Sequence, residues 1–168
     1  MRLALIARSR GDIAGANAAL SLVISTKDMP NRSAIVSALI LKGQLLEAAG
    51  DSSGAREQYK AALREPGFAK DPYAMLSVAN VDFAEIFTLR PTDDGVSEAR
   101  EAALRRAFDE YKEVLKSHPS NVYAANGLGS VLAEQGRLEH AREVFTLVRE
   151  ASSQECASYF ARLPFANR

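Results

Sequence analysis

The sequence predicts an all-α fold: a right-handed α-solenoid of about four helical hairpins, with a partial helix at its C-terminal end. Three observations carry this prediction. Apolar residues recur at spacings of three and four, as on the buried stripe of a helix: Ala125, Leu128 and Leu132, then Leu138, Ala141, Phe145 and Val148. The pattern then repeats along the chain. Gly43, Leu46, Gly50, Ala55 and Tyr59 fall in the places of Gly129, Leu132, Gly136, Ala141 and Phe145, and Ala107 stands 34 residues before Ala141. Finally, all six prolines fall at predicted ends or turns and none interrupts a predicted helix, where proline would remove a hydrogen bond and clash with the preceding turn.

Residues 120–152 form the clearest unit. Leu128-Gly129-x-x-Leu132, then Gly136, then Ala141-x-x-x-Phe145 is the pattern of a tetratricopeptide repeat, a helix–turn–helix unit of about 34 residues. Gly129 and Ala141 are small, which allows two helices to cross closely while Leu132 and Phe145 fill the space beside them. Gly136 accommodates the positive φ of a helix-ending turn.

The other repeats follow in chain order. Residues 1–29 open on a stretch that reads as the middle of a helix, followed by Gly11 and a second helix with Ile13, Ala16, Leu20 and Val23. Residues 33–66 carry Val36, Leu39, Gly43 and Leu46 on a first helix and Ala55, Tyr59, Ala62 and Leu63 on a second, with a turn at Gly50-Asp51. Residues 72–119 carry Tyr73, Leu76, Ala79 and Phe83, then Ala107, Tyr111, Val114 and Leu115. Ala55 and Ala107 are 52 residues apart, so this repeat holds an insertion, placed in a lengthened hairpin at 86–98. Ser97 is the expected cap of the helix after it. The Arg90–Val96 stretch contains Pro91, Gly95 and two aspartates and little to bury, so limited proteolysis is expected to cut there before any other turn. Residues 153–163 form the partial last helix, stopped by Leu163-Pro164.

With 168 residues, 47 % of them hydrophobic, the chain is long enough for one domain with a sizeable core and too apolar to be disordered. Twenty-one basic residues balance 21 acidic ones, which argues against direct nucleic-acid binding driven by excess positive charge. No apolar run approaches the roughly 20 residues of a membrane span. The first seven residues are too short an apolar stretch for a signal peptide, and the single cysteine, Cys156, makes no internal disulfide. A soluble, intracellular protein is expected.

Chemistry-bearing residues do not assemble into a site. Gly127-x-Gly129 lacks the third glycine and the preceding strand of a dinucleotide-binding loop and suits helix packing instead. His118 and His140, with Cys156 the one further soft ligand, lack metal-site spacing. Cys156 has no histidine nearby in sequence to activate it, and Asp93-Asp94 reads as a solvated loop pair. Asn31-Arg32-Ser33 matches a glycosylation acceptor that matters only under secretion. No catalytic residue, cofactor, metal or small-molecule substrate is therefore expected, and the chain is not read as an enzyme.

The expected functional surface is the concave groove lined by the first helix of each pair. Its outward places carry Gln44, Glu47, Tyr73, Leu76, Asn80, Phe83, Tyr123, Asn126, Ser130 and Glu134. Chaperone adaptors clamp a terminal carboxylate with lysines in such a groove; this one has Asn80 and Asn126 without matching lysines. A generic adaptor or regulatory domain, such as a chaperone co-factor, is the alternative function, and binding of peptides ending in Glu-Glu-Val-Asp discriminates it.

RLALIARSRGD at 2–12, DPYAMLSVAN at 71–80 and SNVYAANGLGSVLAEQGRLEHAREVF at 120–145 resemble successive repeats of one family. It is the tetratricopeptide scaffold-subunit family of the RNA polymerase II-associated factor (PAF) elongation complex. The Tyr-Ala-Ala-Asn-Gly-Leu-Gly run at 123–129 is the most specific piece, and the lengthened hairpin before it is similar as well. The resemblance covers most of residues 1–150 and corresponds to an internal segment, since the family continues with more repeats and a long charged helix. Asp82 departs from it, standing where the family tends to be apolar or aromatic, so remodelling is expected at that edge. The resemblance implies a nuclear, non-catalytic scaffold for transcription elongation and linked histone modification, with other PAF subunits and RNA polymerase II as partners.

Overall fold

The computed structural model describes residues 12–26, 31–89 and 98–153. These residues are all-helical, with seven helices and no strand among them: α1 (Ile13–Ser25), α2 (Arg32–Ala48), α3 (Ser52–Arg64), α4 (Pro72–Thr88), α5 (Glu98–Ser117), α6 (Val122–Glu134) and α7 (Leu138–Ser153). The expected helix at 1–9, the tip of the lengthened hairpin with Ser97, and the partial helix beyond Ser153 with Cys156 lie outside the described residues. The chain divides into two compact units, Met1–Ala74 and Met75–Arg168.

Local chemistry sets the helix ends. An Asp or Asn precedes five of the helices, and at four of them its side-chain oxygen accepts from an otherwise orphaned backbone N–H three residues on. The pairs are Asp12 with Gly15 at 2.8 Å, Asp51 with Gly54 at 2.8 Å, Asp71 with Ala74 at 2.9 Å and Asn121 with Ala124 at 3.0 Å. The three aspartates also place negative charge at the positive helix end. These caps had a sequence signal, an Asp or Asn just ahead of each apolar run.

The turns at Gly50 and Gly136 are the same device in both units. Each glycine has positive φ, 84° and 74°. Asp51 N–H donates to the Leu46 carbonyl at 2.9 Å and Gly50 N–H to that of Glu47 at 3.0 Å; Arg137 and Gly136 repeat the pair on Leu132 and Ala133. This double closure satisfies the last carbonyls of the first helix, and its left-handed residue favours glycine.

In the first unit, α2 is buried on two sides. Ala38 and Leu45 pack with Ala16 and Leu20 of α1. Ile35, Val36 and Leu39 pack with Ala62 of α3 and with Ala74. The close α2–α3 crossing depends on Gly43, where an added Cβ would lie 2.3 Å from Cε1 of Tyr59. Gly129 in the second unit faces the Phe145 ring in the same way, with a hypothetical Cβ at 2.7 Å from its Cε1. The recurring small residue of the second helices is buried in every repeat: Ala16, Ala55, Ala107 and Ala141. A larger side chain at those places would hold the helix axes apart and forfeit the surrounding dispersion contacts.

Candidate protein-interaction surface

The expected groove residues owe their orientation to how their helices begin. In both α4 and α6 an Asx cap is followed by one residue, then tyrosine, then alanine. The alanine that donates to the cap, Ala74 or Ala124, points into the core with no exposed surface. Adjacent helix residues point about 100° apart, so the tyrosine before it is turned outward. Tyr73 is 74 % exposed and Tyr123 77 %. From each tyrosine the outward strip continues at helical spacing. On α4 it includes Asn80 and Phe87, with Leu76 and Phe83 half-buried along its border; on α6 it includes Asn126, with Ser130 half-buried.

Gln44, Glu47 and Tyr73 belong to the first unit, and Leu76, Asn80, Phe83, Tyr123, Asn126, Ser130 and Glu134 to the second. Gln44 and Glu47 are exposed on α2, and the Glu47 carboxylate accepts from the Tyr59 hydroxyl at 2.8 Å. Ser130 donates to the Asn126 carbonyl at 3.1 Å. Glu134 accepts from Arg100 of α5.

Within the second unit the strips of α4 and α6 meet at Tyr111 of α5, a residue the sequence pattern identifies only as core. Tyr111 is buried, and its hydroxyl donates to Oδ1 of Asn80 at 2.8 Å. Its ring stands edge-on to Phe83 at 6.4 Å between centroids, and Phe83 is in turn edge-on to Phe87 at 5.3 Å. On the other side Tyr111 lies against Gly127 of α6, where a Cβ would come within 2.3 Å of its ring. The second unit therefore connects Asn80, Phe83 and Phe87 to the Tyr123–Asn126–Gly127 stretch through a tyrosine floor. Phe87, 65 % exposed, lies one helical turn beyond the set from Tyr73 to Phe83 that the sequence pattern identifies. Its spacing of four from Phe83 and seven from Asn80 was the available signal.

Asp82 lies just beneath this surface. It is the buried charged residue of the described core and occupies the place, counted from the helix cap, that Leu132 holds in α6. The carboxylate faces inward, beside Tyr111, so what it alters is the core beneath that helix. Burial, and secondarily the negative charge of Asp82, push the Tyr111 phenol well above its ordinary range. The folded state thus holds this proton more tightly than the unfolded chain does. Its contribution to stability is complete below the ordinary tyrosine pKa of about 10 and declines as pH rises above it. Denaturant midpoints measured from about pH 8 to pH 11 should fall at the alkaline end, and Tyr111→Phe should make that fall shallower.

A cleft of about 300 Å³ lies between α5 and α6, lined by Arg100, Glu101, Leu104, Arg105, Glu134 and Gln135. Its charges are paired internally, Arg100 with Glu134 and Arg105 with Glu101. His118 sits at the end of α5 and His140 is exposed on α7. Among the described residues no group of three or more His, Cys, Asp or Glu is placed to hold a metal ion, and no helix is long and apolar enough to cross a membrane. What the second unit presents at this place is aromatic edges and amides on closely packed helices.

Comparison with known proteins agrees with this architecture. Residues 97–155 match the family model described as tetratricopeptide repeat. The chain is 38 % identical over 127 residues to the Arabidopsis thaliana protein named Protein CTR9 homolog, which covers 76 % of this chain and 11 % of that protein. It is 39 % identical over 84 residues to the Caenorhabditis elegans RNA polymerase-associated protein CTR9, covering 50 % of this chain and 7 % of that protein. The chain thus spans about a tenth of the length of these relatives.

Proposed function

We propose that this chain, a CTR9-like tetratricopeptide segment, acts as a non-catalytic protein-interaction scaffold in a nuclear RNA polymerase II-associated elongation complex of the PAF type. The similarity over 76 % of the chain to a CTR9 homolog carries this reading. A repeat surface of helical hairpins supports it, because such surfaces present a row of side chains to a partner without the acid, base or nucleophile that catalysis requires. The partners are other subunits of that complex and the polymerase, and the link to histone modification runs through the assembled complex. The carboxylate-clamp adaptor finds less support: α4 and α6 contain no lysine or arginine to hold a terminal carboxylate.

The test is co-purification of the tagged chain with RNA polymerase II from nuclear extract. Tyr73→Ala with Tyr123→Ala is expected to leave the thermal midpoint unchanged, because both side chains are mostly in water. Each truncation should cost roughly 1–2 kcal/mol of partner binding. Undiminished capture by the double variant at equal stability would remove both tyrosines from the interface. Failure of the wild-type chain to bring down the polymerase would count against the scaffold reading itself.

A further inference from the structure

The exposed residues of the second unit are sorted by charge between its helices. On α4 beyond Ala74 they are Asn80, Ala84, Phe87 and Thr88, and on α6 they are Tyr123 and Asn126, none of them charged. On α5, by contrast, every exposed residue except Ala99 is charged, among them Glu101, Arg105, Asp109 and Lys116. The acidic residues that α4 and α6 do carry are buried or paired with arginines of α5. Asp82 is buried, the Glu85 carboxylate accepts from Arg106 at 2.9 Å, and Glu134 is held by Arg100. Among the described residues, a chain that is one-quarter charged overall therefore presents, around the Tyr111 floor, a face whose exposed α4 and α6 residues carry no unpaired charge.

Resting on the scaffold reading, we infer that this α4–α6 face of the second unit receives an uncharged, apolar segment of a protein partner, anchored on Phe87 and oriented by Asn80 and Asn126. The chemistry follows from what the face offers. Burying a partner's acid or base here would desolvate it with no opposite charge to compensate, whereas aliphatic or aromatic side chains remove the Phe87 and Tyr123 rings from water. Asn80 accepts from Tyr111 through Oδ1, which leaves its amide N–H groups as donors at the exposed rim. Those donors and the Asn126 amide suit backbone carbonyls of the arriving segment, and hydrogen bonds of this kind orient a chain without selecting charge.

A displayed library of random short peptides, panned on the whole chain, tests this directly. Recovered sequences should be rich in Leu, Ile, Phe or Met, lack a charged consensus and need no free C-terminal carboxylate. Binding of the selected peptides should change less than about twofold between low and high salt, since no ion pair is formed. Phe87→Glu, at an exposed position, should keep the thermal midpoint and lower affinity at least about tenfold. An acidic or basic consensus, strong salt dependence, or equal recovery on the Phe87→Glu variant would overturn the inference, and so would the absence of any peptide retained above that variant's background. The scaffold reading stands or falls separately, on co-purification with the polymerase, which a different face of the chain would also support.

Discussion

Ala141→Glu is expected to unfold the α6–α7 hairpin or to lower its stability by several kcal/mol, on the order of 3–5. Ala141 is buried at the crossing where Gly129 meets the Phe145 ring. Glutamate brings two costs there. Its volume forces apart helices that approach closely only because both contact residues are small, and its carboxylate must be desolvated or protonated inside an apolar crossing. A whole domain is commonly stable by only about 5–15 kcal/mol, so the loss is a large share of the total. Thermal unfolding of the intact chain and amide exchange over α6 and α7 measure it. Arg142→Glu, on the exposed side of the same helix, is the control and should stay within about 0.5 kcal/mol of wild type. An unchanged midpoint for Ala141→Glu would show that the crossing opens at that position.

Tyr59→Ala should lower the stability of the first unit by about 3–5 kcal/mol, as truncation of a buried aromatic generally does. Tyr59 is 1 % exposed, its ring fills the space left by Gly43, and its hydroxyl donates to Glu47 at 2.8 Å. Removing the ring leaves a void between α2 and α3 that backbone relaxation closes only in part, and it releases Glu47 from the α3 side. Tyr59→Phe separates the two contributions. It retains the ring and should cost about 1 kcal/mol, the net worth of one hydrogen bond. Denaturant unfolding with probes in each unit distinguishes local from global loss, because a chain of two compact units need not unfold in one step. Equal midpoints for Tyr59→Phe and Tyr59→Ala would mean that the ring contributes little packing.

The candidate surface was legible in part. The exposure of Tyr73, Tyr123, Asn80 and Asn126 follows from where a helix begins and from its period. Phe87 continues that period by one more turn, four residues beyond Phe83. The Tyr111 floor was not legible at all, since its partners Asn80 and Gly127 lie 31 residues before it and 16 after it, on two other helices. Ion pairs such as Arg106–Glu85 were equally hidden, for the same reason of distance along the chain.

By itself the sequence determined the helical period and the glycine turns at Gly50 and Gly136. Each of these rests on interactions within a few residues of backbone, so local spacing carries the whole signal. Tertiary structure alone decided how far each repeated place is buried. Tyr59, Tyr111 and Phe145 stand four residues after the small alanine of their helices and are equivalent by pattern. Their exposures are nevertheless 1 %, 2 % and 37 %. Phe145 lies on Gly129 of its own hairpin, whereas Tyr111 is also covered by Gly127 of the hairpin that follows it. Asp82 makes the complementary point: in the place of a leucine it is still buried, because what removes a side chain from water is the set of surfaces packed around it, and those arrive from other helices.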